Sequence, residues 1–583
     1  MNLRSAATLV WSAGPAQLAG FLLVLIGSAG LPVVSAVLLR DTLDAIAAGR
    51  TALGPIVGVA LAGVAAWAAT PVRAYLVLEL DRRAGIVARD RLYEAVGAQP
   101  GLSRLEDPGY LNRLSVAATS GVRAPVDIVV GTADVVQAGL LAAGFVMTLT
   151  AVSPVLSAVV LAASAPAVAG QLAMSRRRIR LLTETAGAAR REMFFESLLT
   201  EAQAAVELRL FGLTGFFRGR MLAERRRADG HRRQVDRRDL VVQTGLGVLA
   251  ALIGGAGLIW AAAQPGLSAG DVALTVAAIA AVQSGLAGCV SAAARLHTEL
   301  GAYRHWRSVV DEPRPPSAGN HACPPLRQAL EVRDLWFRYT PDGPWVLRGV
   351  DLRIEAGTST GVVGANGAGK STLVKLLCGM YEPTRGSITW DGVDLRAYDV
   401  DTVRRRMGAV FQTFMSYDLT AAENIGIGDL PALGDRVRVE QAARLADVDP
   451  AIRRLPDGYD TLLSRLYDDE GGAGAYLSGG QWQRIAVARA LMRSTADVLV
   501  LDEPSSGLDP EAEGRLNARI HGLRDGRTSV LISHRLSALR DADQIVVLEA
   551  GEIVERGRHA ELDAAGGRYA TLFRTQAAGY LPA

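Results

Sequence analysis

Lysine is almost missing from this chain: of 583 residues only Lys370 and Lys375 carry an ammonium group, and arginine supplies the remaining positive charge. Cysteine is nearly as scarce, and Cys289, Cys323 and Cys378 lie too far apart to match a metal-ligand spacing or a disulfide framework, so nothing in them suggests redox chemistry. Charged residues of both signs make up only 21% while half the chain is apolar, which excludes a disordered chain or a tail that coats nucleic acid. The charge that exists is unevenly divided. Residues 1–320 carry 31 basic and 23 acidic side chains, a net +8, and residues 321–583 carry 31 and 36, a net −5. The length exceeds what one hydrophobic core organises and predicts two parts of roughly 300 residues each.

Long uncharged runs fill the first part. They lie between Arg4 and Arg40, Arg50 and Arg73, Asp134 and Arg176, Asp239 and Asp271, and Asp271 and Arg295. About 20 apolar helical residues cross a hydrocarbon core, so the run after Asp134 is long enough for two crossings broken near Pro154, and the total expected is six helices. Arginine sets the orientation. With the N-terminus inside, 8 arginines from Arg73 to Arg123 and 16 from Arg176 to Arg238 are cytoplasmic, whereas the outer loop 40–50 holds only Arg40 and Arg50. Apolar positions three and four apart carry helices from these spans onward into the cytoplasm. The first run is read as a retained helix rather than a secretory signal. Asp134, in or near the third span, is either a contact for substrate or cation or a carboxylate facing a wet cavity.

Residues 313–328 are proline-rich and aperiodic and read as a linker between a membrane domain at 1–312 and a second domain at 329–583. In the second domain GANGAGKS, Gly364 to Ser371, follows an apolar strand and opens a helix, the phosphate-loop pattern. Its glycines let backbone N–H groups close on phosphates, the Lys370 ammonium pairs with the β- and γ-phosphates, and the Ser371 hydroxyl completes a magnesium shell. Downstream, ADVLVLDEP is a strand ending in two acids. Asp502 would hold the magnesium ion and Glu503 would polarise the attacking water.

With LSGGQ at Leu477 to Gln481, these residues resemble the ATP-binding cassette (ABC) transporters of the exporter type, over essentially the whole chain. The resemblance implies a multidomain protein in which an all-α six-helix transmembrane domain precedes an α/β P-loop NTPase domain, with ATP and Mg2+ as ligands. It implies that Gly364, Asn366, Gly367, Gly369, Lys370, Ser371 and Thr372 hold the nucleotide, and that Tyr339 stacks on adenine. Ser478, Gly479, Gly480 and Gln481 would bind the γ-phosphate of ATP held by an opposite subunit, and Asp509 would link the two sites at the dimer seam, with Gly507 standing where an alanine is common. Gln412 is similar to the glutamine that senses magnesium and the attacking water, and His534 to the switch histidine that supports Glu503. The partner implied is a second half-transporter. An identical chain suffices, and a related half is the alternative.

The segments near Asp107 to Leu111 and Phe211 to Phe217 look like the helices that dock on the ATPase, and LYDDEGGAGAY before the signature departs from the Glu-centred segment of many relatives. The location implied is a bacterial inner membrane, with the N-terminus and ATPase cytoplasmic. Six spans leave no room for a soluble ATPase acting on nucleic acid. Export of a peptide or hydrophobic natural product is the preferred substrate reading, from FQTFMSYDLTAAENIGIGD, LSGGQWQR and ELRLFGL, with no leader protease expected ahead of the first span. Lipid or multidrug export, and import of a small ligand by the same build, are the alternatives.

Overall fold

The computed structural model describes the chain apart from residues 1, 156, 159–160, 163–164, 166–187, 189–190, 263–267, 314–318, 320, 465–473, 506–510, 512–513, 516–517, 520–521, 523–526 and 579–583. It divides into two compact units, Met1–Gly97 with Pro108–Glu312, and Ala98–Asp107 with Pro313–Ala583. The division therefore departs from a single cut at residue 312, because a ten-residue piece of the first half belongs to the second unit.

The first unit is helical. Among the described residues five helical stretches are long and apolar enough to cross a bilayer: Pro15–Ala47, Leu53–Gly97, Ala124–Ala151, Asp236–Ala256 and Ala269–Val310. The crossing expected after Pro154 falls largely on residues outside the described ones. Large apolar side chains such as Leu23, Ile26, Trp67 and Met147 stand exposed on these helices, as a lipid-facing surface requires. The helix Leu53–Gly97 has 45 residues, about 68 Å at 1.5 Å per residue, twice a hydrocarbon core. The run RDRLYEAVGAQPGL is helical only to Gly97, since Pro100 cannot continue the hydrogen-bond ladder.

A π-turn at Ala117–Gly121 joins the helices Pro108–Val116 and Ala124–Val152. There the chain passes close to Trp306, whose indole N–H donates to Ala88 O at 3.2 Å and whose ring stacks on Tyr303 with centroids 5.5 Å apart. A Cβ added to Gly121 would lie 2.8 Å from Trp306 Cβ and 3.2 Å from Ala302 O. Gly121→Val is expected to lower stability by about 1–3 kcal/mol through overpacking, read as a lower thermal midpoint in detergent; an unchanged midpoint would count against this packing.

The second unit contains two sheets. Strands β1 (Ala329–Phe337), β2 (Leu347–Glu355), β4 (Arg385–Trp390) and β5 (Val393–Asp394) pair antiparallel in the order β2-β1-β4-β5. Strands β3 (Ser359–Val363), β6 (Met407–Val410), β7 (Val498–Asp502), β8 (Thr528–Ile532), β9 (Gln544–Glu549) and β10 (Glu552–Gly557) form the second sheet, ordered β10-β9-β3-β8-β7-β6. All its pairs are parallel except β9 with β10. β3, β7 and β8 are buried at every position, as parallel strands covered on both faces must be. The carboxyl ends of β3, β8, β7 and β6 thus lie side by side, where open α/β sheets place their ligands.

Candidate functional site

Each of these four neighbouring strands delivers one part of the site from its carboxyl end. β3 leads into the phosphate loop, and the helix Lys370–Leu377 begins directly behind Gly369. Gly367 and Gly369 have φ of 81° and 105°, a region that suits glycine, and a Cβ on Gly364 would lie 2.3 Å from Leu548 O. Lys370 Nζ donates to Gly364 O at 2.8 Å and to Ala365 O at 3.0 Å, which spends two of its three protons on the loop. Burial pushes the ammonium below its ordinary pKa, while the charges of Glu503 and Asp502 oppose that shift.

β7 ends at Asp502, and Glu503 follows with φ of 53°, left-handed for a residue that has a Cβ. Such a conformation costs about 1–2 kcal/mol and persists only where surroundings impose it. Here they do. Glu503 N donates to Ile532 O of β8 at 2.9 Å. The carboxylate accepts from Gln412 Nε2, just past β6, at 3.2 Å, and lies 2.8 Å from Nε2 of His534, just past β8. Three residues singled out by sequence thus meet at one carboxylate, held between two donors.

Asp502 is buried, and its Oδ1 has no hydrogen-bond partner among the described residues. Burial raises its pKa, and the hydrogen bond from Ser371 opposes the shift. A buried carboxylate oxygen without a partner beside a hydroxyl fits a hard divalent cation. Among the described residues no three His, Cys, Asp or Glu side chains could hold such an ion alone. Magnesium takes one or two protein oxygens and completes its shell from phosphates and water.

Tyr339 is partly exposed, its hydroxyl lies 2.9 Å from Thr372 Oγ1, and its ring meets Tyr381 edge-on at 5.5 Å. Burial, and the Glu106 carboxylate nearby, raise the Tyr381 pKa above its ordinary value. Glu106 belongs to the segment Ala98–Asp107, where Leu102 N donates to Met380 O at 3.0 Å and Arg404 donates to Pro100 O. The segment that docks on the ATPase fold is therefore this one, about one turn ahead of the expected Asp107 to Leu111. Near the other expected segment, Phe211–Leu213 is a turn and Phe211 and Phe216 are exposed. Asn366 and His534 line a cavity of about 250 Å3 together with Gln576.

The signature sits elsewhere in the unit, heading the helix Gly479–Leu491. Ser478 Oγ accepts from Gln481 N at 3.3 Å, and Gln481 Oε1 accepts from Ser478 N at 2.8 Å. This reciprocal cap engages both side chains and leaves the N–H groups of Gly479 and Gly480 at the positive end of the helix. Asp509 and most of LYDDEGGAGAY lie outside the described residues. Sequence reasoning missed two glutamines. Gln483 Nε2 donates to Glu503 O at 2.7 Å, and Gln576 donates to His534 O while accepting from Leu536 N at 3.0 Å. Gln483 had a signal, a polar residue on a face otherwise buried and apolar; Gln576, 42 residues past His534, had none.

In the first unit a charged cluster lies among the spans. Arg73 pairs with Asp134 and also donates from Nη1 to Gln137 Oε1 at 3.1 Å, and Arg295 Nη2 lies 3.9 Å from the other Asp134 oxygen. Two guanidinium groups thus share one carboxylate, with a net charge of +1. Asp134 and Gln137 line a cavity of about 220 Å3 with Ser28, Pro32 and Ser284.

Residues 347–506 match the family model described as ABC transporter, so this stretch is a P-loop ATPase domain of that type. The chain is 38% identical over 310 residues to an ATP-dependent lipid A-core flippase from Alkalilimnicola ehrlichii, covering 53% of this chain and 51% of that protein. It is 45% identical over 247 residues to the flippase of the same name from Aromatoleum aromaticum, covering 42% and 40%. It is also 44% identical over 261 residues to the cyclolysin secretion/processing ATP-binding protein CyaB of Bordetella pertussis, covering 45% and 35%. The chain spans about half the length, or less, of these relatives. A solved structure of a bacterial Atm1-family ABC exporter with ATP bound superposes with a TM-score of 0.83 at 22% identity, covering 98% of this chain and 100% of that one. The chain has that fold.

Proposed function

We propose that the chain is one half of an ATP-driven exporter that works as a dimer in a bacterial inner membrane, with its ATPase in the cytoplasm. The observation that carries this reading is the Glu503 carboxylate held by Gln412 and His534 beside the phosphate loop, in a chain with at least five apolar spans. Glu503 takes a proton from the water that attacks the γ-phosphorus of ATP, and the His534 N–H keeps the carboxylate aimed. Lys370 and the loop amides hold the phosphates, and Tyr339 offers its ring to the base. Ser371, Asp502 and Gln412 would hold a magnesium ion, which neutralises phosphate charge when bound. The amides of Gly479 and Gly480 receive the γ-phosphate of ATP carried by a second copy, so two ATP molecules draw the ATPase domains together. Closure turns the membrane cavity outward, and hydrolysis releases the clamp.

For the substrate, an amphipathic lipid with an anionic head group is favoured over the peptide first preferred. Relatives named as lipid A-core flippases support it, and so does the Arg73–Asp134–Arg295 cluster beside a membrane cavity. Each of these charges bounds an uncharged run. Replacing Arg73 and Arg295 together by glutamine is expected to weaken half-saturation by an anionic lipid about tenfold or more, the worth of a charge-assisted hydrogen bond. ATPase rate and ATP-dependent flipping of a fluorescent anionic lipid in proteoliposomes test this, beside a peptide panel. Saturable stimulation by peptides, with none by lipids, would restore the peptide reading.

A further inference from the structure

Gln483 sits one turn into the helix Gly479–Leu491 and is 4% exposed, flanked by the buried Trp482 and Ile485. An amide at such a position is costly unless its hydrogen bonds are used, and an apolar side chain of equal size would fill the space. Its Nε2 donates to the main-chain oxygen of Glu503 at 2.7 Å. The other side of the same residue is pinned by the bond from Glu503 N to Ile532 O. Glu503 is thus fixed in its left-handed conformation by one bond to β8 and one to the signature helix. A rotation of this backbone would carry the carboxylate away from Gln412 and His534.

We propose that Gln483 is a positioning residue through which capture of a partner's ATP at the signature adjusts the base of the chain's own site. This rests on the dimeric ATPase reading above. The helix moves as a rod over the single turn from Gly479 to Gln483, so a shift at its phosphate-binding start reaches the Glu503 carbonyl directly. The next residue, Arg484, donates from Nη1 to Asp447 O at 2.8 Å, and Asp447 also pairs with Arg515 and Arg519 at 3.3 and 3.0 Å. That anchor ties the same turn to Arg515 and Arg519. Occupancy of one composite site then sets the geometry of the other, which is cooperativity between two ATP molecules bound to different chains.

The test uses the full-length protein in lipid nanodiscs. Gln483→Met keeps the length and removes the donor, and Gln483→Glu keeps the shape and restores a donor only when protonated. Gln483→Met is expected to lower kcat about 10- to 100-fold with little change in the KM for ATP, because the base and not the nucleotide contacts is misplaced. The Hill coefficient for ATP is expected to fall from above unity in the wild type toward about 1. Gln483→Glu should show the same loss at high pH and regain activity relative to wild type as pH falls, since a buried carboxyl gains its proton readily and its O–H can donate to Glu503 O. A side chain that only fills space would show neither the KM-against-kcat split nor the pH recovery, and the recovery itself demonstrates a folded variant. Wild-type kcat and Hill coefficient in Gln483→Met, or a Gln483→Glu deficit that does not vary with pH, would overturn the proposal. A wild type with no ATPase activity would instead sink the functional reading, and this inference with it.

Discussion

Glu503→Gln is expected to bind ATP as the wild type does and to release phosphate about 100- to 1,000-fold more slowly, the usual worth of a positioned general base. The amide is the same size, so the left-handed backbone at residue 503, pinned by Ile532 O and Gln483, is undisturbed. What changes is basicity. An amide oxygen still accepts a hydrogen bond from His534 Nε2 but cannot take a proton from water. Binding energy and chemistry then separate: nucleotide should accumulate in a closed dimer while turnover stops, read by trapped ATP against phosphate release. His534→Ala should lose less, because it removes a group that aims the carboxylate and leaves the carboxylate itself. Phosphate release near the wild-type rate in Glu503→Gln would move the base to another residue.

The chemistry was legible in sequence where it demands a residue type in a local pattern. Gly364 to Ser371 and the Asp502-Glu503 pair are such cases, since phosphate contact needs backbone amides at a helix start and hydrolysis needs a carboxylate at a strand end. The order β3-β8-β7-β6 was not, because parallel neighbours far apart in the chain leave no local trace; yet that order is what brings Gln412, Glu503 and His534 together. The docking segment was displaced by about a turn for a related reason. Its contacts run through main-chain groups, the Pro100 carbonyl and the Leu102 amide, and a main-chain contact carries no side-chain signature. The left-handed turn at Glu503 was hidden too, since no glycine marks it. The peptide preference drew mostly on stretches of the ATPase half, which report the motor and not the cargo. The charged cluster at Arg73, Asp134 and Arg295 needed the helices packed before three separate residues could be seen as one site.

Lys370→Ala is the other large effect, an expected loss of about 100-fold in ATP affinity, from removing a charge-assisted contact to phosphate. The chain supplies its own control. Lys375, the one other lysine, lies in the same helix with its Nζ 5.8 Å over the Tyr381 ring, and Lys375→Ala should leave affinity within about twofold, since a cation–π contact of this kind is worth about 0.5–1 kcal/mol and is not made to nucleotide. The pH dependence has a definite sign. Burial holds the Lys370 pKa below the ordinary 10.5, so the ammonium is lost, and ATP affinity falls, at a pH where an exposed lysine would still be charged. Phosphate beside it pulls the pKa back up, so binding ATP takes up a fraction of a proton on the alkaline side. Calorimetry in buffers of different ionisation enthalpy would measure that uptake, which should vanish in Lys370→Ala and persist in Lys375→Ala. Equal uptake in all three proteins would place the titrating group somewhere other than Lys370.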